Sequence, residues 1–160
     1  MDFIIDAAIQ YLSERSFSEK QLRAQLVDDF KGQINLESQI DQSMAHLKKL
    51  KLINDLRIAT NLTQRFSHKG DSFIKNALEQ KGITEKIINQ ALSSIEDESL
   101  RALQEARKKF ENFQGKQNER AKSTLRRFLT GRSFSFLAIQ LVLRNLTEER
   151  GMPYSVNLGF

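Results

Sequence analysis

Leu129-Thr130-Gly131-Arg132-Ser133-Phe134-Ser135-Phe136-Leu137-Ala138-Ile139-Gln140-Leu141-Val142-Leu143 is the stretch from which the rest of the chain is read. Its skeleton is Leu, two residues, a base, a small residue, a large apolar residue and Ser or Thr, followed by Leu or Ile at two further four-residue steps. The skeleton occurs twice more. It reads Leu12-x2-Arg15-Ser16-Phe17-Ser18-x3-Leu22-x3-Leu26 near the start and Leu78-x2-Lys81-Gly82-Ile83-Thr84-x3-Ile88-x3-Leu92 in the middle. So many constrained positions recurring together exceed what composition produces, and self-similarity of this kind signals a repeat architecture.

Physically, the skeleton describes one helix ending and another beginning. Ser18, Thr84 and Ser135 are N-cap residues whose hydroxyls accept an orphan backbone N–H, and Gln21, three residues after Ser18, completes a capping box. Phe17, Ile83 and Phe134 precede the caps, and Leu22, Ile88 and Ile139 follow four residues after them, which is the spacing of a hydrophobic staple. Gly82, Ser16 and Ser133 stand where the outgoing helix turns left-handed. Arg15, Lys81 and Arg132 sit at helix C-termini, where cations are favoured.

The intervening segments carry helical periodicity: Ile5, Ala8, Ile9 and Leu12; Ile40, Met44, Leu47 and Leu50; Phe136, Ile139, Leu143 and Leu146. Helices are predicted over 55–66, 71–80, 97–112 and 118–130, with a loop at Ser67-His68-Lys69-Gly70 and a break at Gln114-Gly115-Lys116. No segment sustains the two-residue alternation of a strand. The expectation is an all-α chain of nine helices, arranged as three tandem three-helix repeats over 1–54, 55–95 and 96–147, with a tail over 148–160. Stacked triplets share their apolar stripes with neighbours, so an elongated, curved molecule is expected.

Composition narrows the chemistry. At 160 residues, 39% of them hydrophobic, the chain can bury a core without staples. The absence of Cys removes thiolate nucleophiles and Cys-ligated metals. His46 and His68 have no second histidine at metal-ligand spacing, Gly115-Lys116 lacks the upstream glycine of a phosphate loop, and Glu96-Asp97-Glu98 suits a helix start. No catalytic residue, metal or cofactor is nominated. The acidic N-terminal stretch is no secretory signal, and no apolar run is long enough to span a membrane, so a cytoplasmic location is expected.

Charge is concentrated. Residues 1–100 carry a net −2, residues 101–132 a net +7, and residues 133–160 balance. The cations of the middle segment, together with those of the first two turns, form the candidate anion- or partner-binding set: Arg101, Arg107, Lys108, Lys109, Arg120, Lys122, Arg126, Arg127, Arg132, Arg15 and Lys81. Lys116 lies in the same run. Ala121, Leu125, Phe128 and Leu129 form the opposite, apolar face of the basic helix, so one side packs while the other meets anions.

Read together, these residues resemble the RecX regulatory family. The likeness rests on Ala8-x2-Tyr11-Leu12-x2-Arg15-x2-Ser18-x3-Leu22-x3-Leu26, on Leu50-x2-Ile53-Asn54-Asp55-x2-Ile58-Ala59, and on Gly70-x3-Ile74-x3-Leu78-x2-Lys81-Gly82-Ile83. It continues in Arg126-Arg127-Phe128-Leu129-x2-Arg132-Ser133-Phe134-Ser135, and covers about residues 3 to 146. Ser133 stands where the family usually has Gly, and Asn54 where it usually has an acidic residue. The resemblance implies three tandem three-helix repeats in a non-catalytic protein. Such a protein acts as a monomer that binds the RecA filament on single-stranded DNA and restrains its ATP hydrolysis, recombination and coprotease activities, with weak direct DNA binding and no membrane.

The residues admit two competing functions. A helix-turn-helix regulator of duplex DNA needs base-reading Arg, Asn or Gln at the start of its recognition helix; Phe136-Leu137-Ala138 after Ser135 does not supply them, and Glu19-Lys20-Gln21 after Ser18 does so only in part. An adaptor for some other acidic protein would bind neither DNA nor filament.

Overall fold

The computed structural model describes residues 2–110 and 119–151, with side chains to residue 146 in the second segment. Among the described residues the regular structure is entirely helical. The order is α1 Phe3–Glu14, α2 Glu19–Asp29, α3 Leu36–Lys49, α4 Asp55–Arg65, α5 Asp71–Gln80, α6 Glu85–Leu92, α7 Glu98–Lys109, α8 Glu119–Gly131 and α9 Phe136–Gly151. The all-α expectation holds, and the helices expected at 55–66, 71–80 and 118–130 appear as α4, α5 and α8. The expected break at 114–116, with Lys116, lies outside the described residues. No helix among them is long and apolar enough to cross a membrane.

The chain divides into two compact units, one of residues 1–62 and 77–92, the other of 63–76 and 93–160. In the first, α1, α2 and α3 pack on one another around Ile4, Ala8, Phe17, Leu22, Leu26, Ile40, Met44, Leu47 and Ile53. In the second, α7, α8 and α9 do the same around Ala102, Leu103, Ala106, Leu125, Leu129, Phe134, Ala138, Ile139, Val142 and Leu143. Each cluster follows from stripes recurring every three or four residues, which bury one side of each helix. Three expected stripe positions depart from the pattern. Ile9 is exposed because α1 packs through Ile4 and Ala8, Leu50 is exposed as the residue that closes α3, and Phe136 projects into solvent at the first turn of α9.

The repeated turns are built as expected in the second and third copies and differently in the first. Ile83 N–H donates to the Leu78 carbonyl at 3.1 Å and Gly82 N–H to that of Glu79 at 2.9 Å; Phe134 N–H donates to Leu129 at 3.2 Å and Ser133 N–H to Thr130 at 2.9 Å. These paired bonds satisfy the last carbonyls of α5 and α8 and require a left-handed residue, here Gly82 (φ 77°) and Ser133 (φ 65°). At the first copy Ser16 is not left-handed; α1 instead ends at Arg15, whose backbone is extended (φ −159°). An unforeseen turn of the paired kind closes α3, with Leu52 N–H on Leu47 and Lys51 N–H on Lys48, both at 2.9 Å, and Lys51 left-handed at φ 59°.

All three copies share the start of the next helix. Leu22, Ile88 and Ile139 donate to the carbonyls of Ser18, Thr84 and Ser135 at 2.9, 3.0 and 3.0 Å, and all three staple pairs are buried. Ser18 and Gln21 form the complete capping box, and the Ser135 hydroxyl accepts from Ala138 N–H at 3.1 Å. The Ser18 hydroxyl also donates to the Lys81 carbonyl, so within the first unit the α5–α6 turn is held against the start of α2.

Candidate anion-binding face

The basic segment acquires its geometry from α8. Leu125 and Leu129 are fully buried against the α7–α9 cluster, which turns the opposite side of the helix outward. Arg120, Arg126 and Arg127 are exposed there, and their guanidinium groups make no hydrogen bond or ion pair among the described residues. Arg120 and Arg127 are seven residues apart and share one stripe two turns long; Arg126 flanks it. An unpaired guanidinium offers a planar fork of donors suited to carboxylate or phosphate. Lys122 is half-buried and pairs with Glu119 at 3.6 Å.

The end of α7 contributes Arg107, Lys108 and Lys109, all exposed. Lys108 lies 3.4 Å from Glu105, and Lys109 stands over the ring of Phe128 at 5.9 Å. Arg132 covers the same ring at 4.7 Å and pairs with Glu105 at 3.0 Å. Phe110 meets Phe128 edge-on with centroids 5.9 Å apart. Lys108, Lys109 and Arg132 are thus gathered about one aromatic side chain and one carboxylate.

Arg101 stands apart from this set. It is 4% exposed, and its guanidinium donates to the carbonyls of Glu96 (2.8 Å), Ser67 (3.0 Å) and Lys69 (2.5 Å) and pairs with Asp71. Its charge organises the 67–71 loop of the second unit, with Arg101 buried and its partner Asp71 part-exposed. Burial pushes the Asp71 carboxyl above its ordinary value, with Glu98 adding to the rise and Arg101 opposing it. Arg15 and Lys81 belong to the first unit. Arg15 is exposed, its guanidinium 4.0 Å from the centre of the Phe17 ring, and Lys81 is half-buried.

Charge patterning alone did not single out the residues that build this region. Glu98, Arg101 and Glu105 lie at steps of three and four on α7. Glu98 accepts from the N–H of Asp71 at 2.6 Å and of Ser135 at 3.0 Å, holding the starts of α5 and α9 with one carboxylate. Gly70 N–H donates to the Arg132 carbonyl at 2.8 Å, and a side chain at Gly70 would collide with the Ser133 carbonyl. The Ser72 hydroxyl donates to that carbonyl at 3.1 Å. The spacing of the three α7 charges was a signal available in the sequence; the docking of the 67–72 loop was not. Beside it, Ser67, Ser94, Ile95, Glu96, Gln104 and Lys108 help line an open cleft of about 350 Å³. Among the described residues no group of three potential ligands is placed to hold a metal ion.

No family model matches the chain. It is 31% identical over 146 residues to the regulatory protein RecX of Streptococcus mutans, an alignment covering 89% of this chain and 55% of that protein. The chain therefore spans little more than half the length of that relative. It is 30% identical over 152 residues to the regulatory protein RecX of Clostridium perfringens, covering 92% of this chain and 70% of the relative. In fold it resembles the crystal structure of RecX from Lactobacillus salivarius, with a TM-score of 0.73 at 23% identity over 90% of this chain and 94% of that one. A second crystal structure of a regulatory protein RecX superposes with a TM-score of 0.63. With the repeated turns in the order the resemblance required, and with that identity sustained over most of a relative's length, the chain belongs to the RecX family of regulatory proteins.

Proposed function

We propose that this protein binds the RecA filament on single-stranded DNA and restrains its ATP hydrolysis, recombination and coprotease activities, without catalysis of its own. On this reading it acts as a cytoplasmic monomer in recombination, repair and the SOS response. The observation that carries the reading is the set of three exposed guanidinium groups on α8, Arg120, Arg126 and Arg127, unpaired among the described residues, within a segment of net charge +7. Family membership supplies the kind of partner; the arginines supply an anion-seeking surface whose association weakens with salt. Arg107, Lys108, Lys109, Lys122 and Arg132 extend the surface, and Arg15 and Lys81 are secondary members.

The test is filament binding across a salt series. Arg126→Glu with Arg127→Glu is chosen because both side chains are exposed and neither pairs with a described residue, whereas replacing Arg132 also breaks its pair with Glu105. The double variant is expected to keep its helicity, bind at least tenfold more weakly at moderate salt, and show a shallower salt dependence. Unchanged affinity and slope would remove α8 from the interface.

A further inference from the structure

Among the described large apolar side chains of the second unit, two are conspicuously exposed: Phe136 at 78% and Leu137 at 70%. They occupy the first turn of α9, and that turn is rigidly held. Ser135 is fixed on both sides, its hydroxyl by Ala138 and its N–H by Glu98. Phe134 is buried beneath it, and the preceding backbone is bonded to Gly70 and Ser72. Exposed apolar side chains on a backbone fixed in advance lose little entropy on being covered, the condition under which a few residues dominate an interface.

Charge and extent identify the occupant. The pair follows Arg126, Arg127 and Arg132 directly along the α8–α9 hairpin, just beyond the 101–132 segment whose net charge of +7 favours an acidic neighbour. A second copy of the chain would bring like-charged segments together. A membrane needs a longer apolar face than two side chains on one turn, since Ala138 and Ile139 point into the core. Stacking on bases would use Phe136 and leave Leu137 without a role. We propose that Phe136 and Leu137 are the apolar anchor of the interface, seated in an apolar pocket rimmed by carboxylates on the partner protein, with the α8 arginines meeting the rim. This rests on the filament reading above and adds the contact that supplies affinity independent of salt.

The experiment compares wild type, Phe136→Ser with Leu137→Ser, and the conservative Phe136→Leu with Leu137→Met. Each is titrated onto RecA filaments assembled on single-stranded DNA, and onto the same DNA without RecA, at several salt concentrations. The serine variant is expected to retain its helicity and bind filaments ten- to a hundredfold more weakly at every salt concentration. Its salt slope should match that of wild type, its binding to naked DNA should be unchanged, and the conservative variant should recover most of the affinity. Wild-type binding with no loss in the serine variant would overturn the anchor and leave the filament reading standing; no filament binding by wild type would overturn that reading itself. An equal loss on naked DNA would assign the pair to nucleic acid. Wild-type self-association abolished in the serine variant would assign it to a second copy. Either result would overturn the proposal.

Discussion

Asp71 shows how a single charge is set by competing neighbours. It begins α5, its carboxylate pairs with the buried guanidinium of Arg101, and its own N–H is held by Glu98. Burial nevertheless outweighs Arg101 and raises its carboxyl above the ordinary value. The folded state then binds the Asp71 proton more tightly than the unfolded chain does, so this residue's contribution to stability is greatest in acid and is lost as pH rises through the raised value. Comparing wild type with Asp71→Asn by denaturant unfolding from about pH 3.5 to 7 isolates the effect. The stability of wild type relative to the variant should fall as pH rises; a relative stability that grows with pH would mean the carboxyl is stabilised in its ionised form. The Tyr11 phenol is raised for a different reason, the hydrogen bond it donates to Asp29 at the surface.

At the scale of elements, the reach of local sequence is visible turn by turn. Cap and staple residues are local, and Ser18, Phe134 and Ser135 act as their spacing required. The left-handed residue is less legible. Gly82 announces itself, Ser133 is inferred only from its place in the repeat, Lys51 carries no local signal, and Ser16 is displaced by an extended Arg15. Arg101 looks like any other cation of the basic run, because nothing local records that the Ser67 and Lys69 carbonyls converge on it. Tertiary docking of the 67–72 loop also decides the role of Gly70. Gly70→Ala should destabilise the protein by about 1–3 kcal/mol, since its methyl group meets backbone that cannot move aside. Gly131→Ala, in open space at the end of α8, should be neutral or stabilising by up to about 1 kcal/mol. Thermal unfolding of the pair checks the contrast, and equal effects would show that the close approach carries no energy.

For the molecule as a whole, the distribution of charge ties fold to function. The first hundred residues are nearly balanced, and the excess is confined to a segment whose apolar side is committed to the α7–α9 core. That core presents Arg120, Arg126 and Arg127 outward on a rigid helix and leaves the fixed Phe136–Leu137 turn exposed at its far end. On the proposed reading, this surface occupies an anionic partner and alters what that partner does. The most direct measurement is DNA-dependent ATP hydrolysis by RecA from the same organism, with this protein added in increasing amounts at low and at high salt. Concentration-dependent slowing that is relieved at high salt, and lost in the Arg126→Glu, Arg127→Glu variant, is the predicted result. Hydrolysis unaffected at every concentration and salt would contradict the assignment of this surface to the recombinase filament.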